Sequence, residues 1–299
     1  MPKRVARETN RPKNKLRVAL AQIAPKLGDV AANLKLHLTL IRKARAQKAD
    51  MIVFPELSLS GYLLKDMVPR VALKADAPEI KELLAASKSI SIAVGLVEET
   101  PESLYFNSAL FLEKGKMVYC HRKVYLPTYG MFDEGRFFGA GEALRAFDTR
   151  WGRLGLLICE EAWHSFCPYL LTLDGAVAII NIANSTARGL DGKKRVGTAQ
   201  TWELMNRFYA GMHQVFFIFA NRVGFEDGIG FWGGSEVVDP FDKVAAKAPY
   251  FREQLVFADI DLGQVEQARL RTPLLRDERL DFSLAELARV RDQRQATVA

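Results

Sequence analysis

The sequence predicts an α/β fold, a four-layer αββα sandwich of two mixed β-sheets, on three observations. Strand-like and helix-like stretches alternate from residue 16 onward. A tight turn between two apolar runs requires antiparallel as well as parallel pairing. The strands also outnumber what one short sheet holds, and two sheets packed face to face with helices outside would leave no apolar face bare.

The elements follow in order. Residues 16–23 are rich in strand formers, and 31–48 place Leu34, Leu38 and Ile41 on one helical face. Residues 51–54 form a short apolar strand stopped by Pro55, 77–88 read as a helix, and 91–97 as a strand. Residues 107–112 and 116–121 flank Glu113, Lys114 and Gly115, a hairpin turn. Residues 125–142, with Pro127 and four glycines, lack periodicity and read as a long loop, which in a compact domain is often functional. A buried strand over 153–158 runs into Cys159, and 160–171 read as the helix that follows. Further strands are expected at 176–182, 215–221, 236–239 and 256–260, with a helix over 198–213. Residues 280–294 carry Leu280, Leu284, Leu287 and Val290 at helical spacing, an apolar face to bury on this subunit or on a dimer mate.

Composition narrows the function. The net charge of +7 is concentrated in residues 1–15, which carry six cations and one acid, so only +2 remains elsewhere. That is no footprint for a polyanion, and nucleic acid is not an expected partner. No apolar run is long enough to span a bilayer and the N-terminus lacks a secretory apolar segment, so no membrane role is expected and the cytoplasm is the expected location. Three cysteines, an odd number without framework spacing, suit a reducing compartment. Four scattered histidines, none at ligand spacing, give no reason to expect a metal.

Three segments share one feature: Glu56, Lys123 and Cys159 each stand just beyond an apolar strand. Strand ends in α/β proteins are where sites assemble. A thiol of ordinary pKa is mostly protonated near neutrality, so a nucleophilic cysteine needs a nearby cation or base, and Lys123 and Glu56 are candidates for both. Taken singly, each residue has an ordinary explanation: a packed thiol, a helix-start charge, a solvated lysine. Cys120 and Cys167 read as packing residues, and a Cys159–His164 pair is disfavoured because the intervening turn points the side chains apart.

Together the segments resemble the nitrilase superfamily of carbon–nitrogen hydrolases. Phe54-Pro55-Glu56-Leu57-Ser58-Leu59-Ser60-Gly61-Tyr62 is similar to its glutamate motif, Arg122-Lys123-Val124-Tyr125-Leu126-Pro127 to its lysine motif, and Gly155-Leu156-Leu157-Ile158-Cys159-Glu160-Glu161-Ala162-Trp163 to its cysteine motif. Asn221-Arg222-Val223-Gly224 and the stretch 231–240 resemble the later family signature. The loop 126–138 most resembles the glutaminase domain of glutamine-dependent NAD synthetase.

The resemblance implies a hydrolase domain over 16–270; composition leaves a disordered basic tail at 1–15, and a C-terminal extension at 271–299 carries the helix expected to pack on the subunit or to contact a dimer mate. It implies a Glu56-Lys123-Cys159 triad, Glu134 as a second glutamate, the backbone N–H of Glu160 as an oxyanion donor, no cofactor, and a homodimer or higher homo-oligomer. Tyr62, Tyr129, Phe132, Trp163 and Ser185 fall where substrate would be held. The expected substrate is a small amide, cleaved through a cysteine thioester with release of ammonia. The alternatives are a nitrilase, an N-carbamoyl hydrolase, or an ammonia-donating glutaminase subunit of a separate synthetase. The stretch Ala183-Asn184-Ser185-Thr186-Ala187 departs from the usual serine-rich pattern, and no ATP-binding motif is present, so this chain is not expected to make NAD alone.

Overall fold

The computed structural model describes residues 14–189 and 196–298. Most of the predicted basic tail therefore lies outside the described residues, but Lys15 does not: it opens the first strand and faces Asp261 across the ladder.

Fourteen strands follow in chain order among the described residues: β1 Lys15–Gln22, β2 Met51–Val53, β3 Ser91–Glu99, β4 Tyr105–Glu113, β5 Lys116–Arg122, β6 Phe147–Thr149 and β7 Gly152–Ile158, then β8 Ala178–Ala183, β9 Phe216–Asn221, β10 Val223–Glu226, β11 Ile229–Trp232, β12 Glu236–Val238, β13 Val244–Lys247 and β14 Gln254–Asp261. The first sheet has the order β14-β1-β2-β3-β4-β5, the second β13-β12-β9-β8-β7-β6, and β10 with β11 forms a separate hairpin. Both large sheets are mixed. β1, β2 and β3 run parallel, as do β7, β8 and β9, and the outer pairs are antiparallel.

Period-two alternation builds the layers. Val18 and Leu20 of the first sheet, and Leu154, Leu156, Ile158, Ile180 and Ile182 of the second, meet in one core between the sheets. Their neighbours point outward: Ala19 and Ala21 toward α1 (Val30–Ala46) and α3 (Pro78–Ala86), Leu157 and Ile179 toward α4 (Phe166–Leu173) and α5 (Gly197–His213). A short α2, Val68–Val71, lies in the connection before α3. The order is helix, sheet, sheet, helix, as the sequence predicts. Truncating one inner residue such as Ile180 to alanine would cost about 2–5 kcal/mol through lost transfer energy and a cavity.

One departure has a clear cause. The helix predicted over 160–171 is a 3-10 turn, Cys159–Trp163, followed by α4. Pro168 accounts for the break, because its ring would clash with the carbonyl of residue 164 in a continuous helix. The chain ends in α6 (Gly263–Arg271) and α7 (Leu280–Val298). α7 is the helix the sequence predicts, but its own subunit does not bury the apolar face: Leu280, Leu284, Leu287 and Val290 remain 39–64% exposed. No helix among the described residues is long and apolar enough to cross a membrane.

Candidate active site

Glu56, Lys123 and Cys159 follow β2, β5 and β7, so the two facing sheets deliver them to one end of the sandwich. The turn carrying Glu56 lies directly on β3. Phe54 N–H donates to Ala93 C=O at 2.9 Å, and a Cβ at Gly95 would stand 2.4 Å from Leu57 N, so only glycine permits that approach. Behind the turn, buried His37 stacks on Phe54 with centroids 4.0 Å apart and its Nε2 lies 2.9 Å from Ser58 Oγ. Burial lowers the pKa of His37 to about 4, so this support is a neutral imidazole.

Glu56 is fully buried and every contact fixes its direction. Oε1 accepts from Asn107 Nδ2 at 2.7 Å and Lys123 Nζ at 2.8 Å, while Oε2 accepts the Asn184 N–H at 2.9 Å. Asn184 also donates its side-chain N–H to the Glu56 carbonyl at 2.9 Å, which ties the first sheet to the end of β8 in the second.

Lys123 is also fully buried, with its ammonium 2.8 Å from Glu56 and 2.8 Å from Glu134. Burial pulls the lysine toward losing its proton, but Glu134 and Glu56 outweigh it and hold its pKa above the usual lysine value. Glu134 comes from the long loop, where it opens a 3-10 turn, Glu134–Arg136. Its Oε1 also accepts the Tyr62 hydroxyl at 2.7 Å. Burial and the Glu56 charge raise Glu134 above the ordinary glutamate value, although Lys123 opposes them. One cation between two carboxylates leaves the cluster with a net negative charge, and Glu134 is the carboxyl displaced toward its protonated form.

Cys159 is half-buried and adopts φ +48°, a left-handed conformation that costs a non-glycine residue about 1–2 kcal/mol. Its N–H leaves the helical pattern and donates to Asn181 Oδ1 at 3.0 Å. Glu56, Lys123 and Glu134 all act electrostatically on the thiol. Burial, then the Glu56 charge, pushes the thiol pKa well above its ordinary value while Lys123 pulls it down. At rest the sulfur is a neutral thiol with a carboxylate and an ammonium beside it.

The predicted substrate residues divide. Tyr62 meets Phe132 edge-on at 6.2 Å, and Phe132 meets Tyr129 edge-on at 5.8 Å, so these three form one wall continuous with Glu134. The Tyr129 hydroxyl donates to the Glu160 carboxylate at 2.9 Å, and burial with that carboxylate raises the phenol pKa to about 12. Ser185 is buried, and its Oγ accepts from Trp232 Nε1 at 2.9 Å. Trp163 stands apart from the wall: 43% exposed, it packs edge-on against Trp202 at 5.5 Å. His164 stacks on Tyr125 with centroids 3.6 Å apart.

Several contributors escape sequence reading. Arg188 lies over the Phe132 ring at 4.8 Å, with Nε donating to Thr186 Oγ1 at 3.1 Å. The carboxylate of Glu160 joins the wall, where the sequence points only to its backbone. Asn107, Asn181 and Asn184 hold the glutamate and the cysteine, yet amides of this kind carry no pattern that marks them in advance.

Residues 17–270 match the family model described as carbon-nitrogen hydrolase. The chain belongs to that family. It is 30% identical over 249 residues to a glutamine-dependent NAD(+) synthetase from Acinetobacter baylyi, a match covering 83% of this chain and 44% of the relative. The solved glutamine-dependent NAD+ synthetase of Acinetobacter baumannii superposes with TM-score 0.74 at 28% identity, covering 84% of this chain and 46% of that one. A carbon-nitrogen hydrolase from Helicobacter pylori superposes with TM-score 0.78 at 25% identity, covering 92% of this chain and 99% of the other. The hydrolase thus spans less than half the length of the synthetase relatives, and its fold is that of the nitrilase superfamily.

Proposed function

We propose that this hydrolase cleaves a small polar amide, glutamine-like in form, through a thioester on Cys159. The observation that carries the reading is the buried Lys123 ammonium, held 2.8 Å from both Glu56 and Glu134 beside the Cys159 thiol.

Because the thiol is neutral at rest, attack requires proton removal as the carbon–sulfur bond forms. Glu56 takes that proton. The carbonyl oxygen gains negative charge, stabilised by the Lys123 ammonium and the Glu160 backbone N–H, donors already fixed in a largely dry cleft. The carbon–nitrogen bond then breaks, and the leaving nitrogen takes the proton back from Glu56 and departs as ammonia. A water molecule gives a proton to Glu56 as it attacks the thioester, and the proton returns to sulfur as the acid leaves. Glu134 holds Lys123 in place, since a buried cation with two carboxylate partners neither deprotonates nor turns away.

The wall supports the substrate class. Glu160 with Tyr129 offers an anionic end, and Arg188 over Phe132 a cationic one. An amino acid amide carries an ammonium and a carboxylate that match those two charges, whereas simple aliphatic amides and nitriles match neither.

The test measures ammonia released from L-glutamine, L-asparagine, aliphatic amides, N-carbamoyl compounds and nitriles by the wild-type chain and Cys159→Ala. Turnover of the amino acid amides that vanishes in the variant is expected. Undiminished turnover by Cys159→Ala would remove the mechanism, and preference for nitriles or carbamoyl compounds would remove the substrate class.

A further inference from the structure

Glu161 and His121 have no part in the chemistry above, yet both side chains are fully buried and in contact. His121 Nε2 lies 2.9 Å from Glu161 Oε1 and 2.8 Å from Oε2. The same carboxylate accepts two backbone donors: Val124 N–H at 2.7 Å on Oε1 and Ile158 N–H at 2.7 Å on Oε2. Val124 directly follows Lys123 at the end of the first sheet's β5. Ile158 directly precedes Cys159 at the end of the second sheet's β7.

Part of this arrangement is ordinary. A glutamate at the third position of a helical turn commonly accepts the N–H of the residue before the turn. That explains Ile158, but not Val124 or His121, which reach the carboxylate from the opposite sheet. All three donors are N–H groups, so the matching partner is an acceptor-only carboxylate with His121 donating from Nε2.

The other backbone ties of Lys123 and Cys159 act locally. Lys123 N–H donates to Asn107 C=O at 2.9 Å and its carbonyl accepts from Gly141 N–H at 2.7 Å, while Cys159 N–H goes to Asn181 on the neighbouring strand β8. Glu161 instead joins the residue after the lysine to the residue before the cysteine, across the gap between sheets.

We infer that Glu161, braced by His121, is a positioning residue that sets the distance between the Lys123 ammonium and the Cys159 sulfur. The inference rests on the roles proposed above for those two residues. A neutral glutamine at 161 would offer one oxygen and turn its NH2 toward an N–H donor, so one strand end must retreat. Misplacement by about 1 Å around reacting atoms can cost on the order of 10²-fold in rate.

The test uses the full-length chain with Glu161→Gln, His121→Leu and His121→Gln. The first readout is iodoacetamide alkylation of Cys159, followed by intact mass across pH 6–10 as the span of the assay, with Cys159→Ala identifying the labelled thiol. The charged groups acting on Cys159 are Glu56, Lys123 and Glu134, and Lys123 is the one that favours the thiolate. Its retreat by about 1 Å moves the alkylation profile up by about half a pH unit. The second readout is ammonia release from the best amide of the panel, where kcat should fall about 10- to 100-fold in Glu161→Gln while KM stays within about threefold. His121→Leu should move both readouts in the same direction, and His121→Gln, which restores a neutral N–H donor, should recover most of the loss.

A folded Glu161→Gln variant with a lower melting temperature but an unmoved alkylation profile and kcat would overturn the inference, since it would mark the carboxylate as structural only. Should that variant fail to fold, equal readouts for His121→Leu and His121→Gln would overturn it instead. Turnover that persists in Cys159→Ala would mean that the cysteine assignment itself is wrong, a failure separable from that of the brace, whereas label that persists there belongs to Cys120 or Cys167 and is subtracted.

Discussion

Replacing Lys123 by methionine keeps an unbranched side chain, one heavy atom shorter, and removes its charge. In the folded chain that charge has no solvent contact and lies 2.8 Å from each of two carboxylates. Removing one member of a buried ion cluster costs about 3–5 kcal/mol, because the charges left behind are neither hydrated nor neutralised. At about 2 °C per kcal/mol for a chain of this size, the melting temperature should fall by about 6–10 °C near pH 8. The sign of the pH dependence follows from Glu134, whose carboxyl already sits above the ordinary glutamate value through burial and Glu56. Without Lys123 it rises further, so the folded variant keeps a proton that the unfolded chain releases. Stability of the variant is therefore lost as pH rises from the unfolded glutamate value, about 4.3, through the raised folded one. The gap to wild type should be narrowest near pH 5 and widest near pH 8. Scanning calorimetry of both proteins across that range measures it. A gap that does not change with pH, or one below about 2 °C at pH 8, would refute the buried-cluster reasoning.

Two further predictions concern other parts of the molecule. His37 has a folded pKa of about 4 against an ordinary 6.5, so the stability of its neutral form is present above pH 6.5 and lost as pH falls toward 4. The loss reaches about 3 kcal/mol from this residue alone; urea unfolding should show the slope, and His37→Gln should flatten it, an unchanged slope counting against the assignment. Leu204, Phe208 and Met212 form an exposed stripe along α5, and α7 exposes its own leucines. Those surfaces support the expected self-association, so sedimentation should give a dimer or larger assembly of this chain, and a monomer at micromolar concentration would contradict it.

Much of this architecture is legible in the sequence because its signals are local. Lys114-Gly115 adopts positive φ at both positions, the geometry a two-residue hairpin needs, and β4 and β5 pair around it with Glu113 opposite Lys116. Glu56, Lys123 and Cys159 are recognisable because an abrupt change from apolar strand to polar residue needs no partner to be seen. The hairpin of β10 and β11 carries an equally plain signal, Asp227-Gly228 with φ +50° and +79°, which goes unused when the surrounding stretch is read only as a family signature. The edge strands β6 and β13 are too short for alternation to show. The remainder of the site is not local at all. Asn107, Asn181 and Asn184 matter through a single hydrogen bond or two to partners far along the chain, and Glu161 through donors on the opposite sheet. Arg188 reaches the wall through its stacking on Phe132, a contact that exists only once the long loop has folded over the strand ends.

The most direct measurement is peptide mass spectrometry on Glu56→Gln after incubation with the preferred amide and acid quenching. Glu56 serves both half-reactions, so the variant should form and release the acyl group slowly, and over a long incubation the acyl mass should be found on the peptide containing Cys159 and be lost on treatment with hydroxylamine. Substrate consumed with no adduct on that peptide, or an adduct on Cys120 or Cys167 instead, would contradict the account.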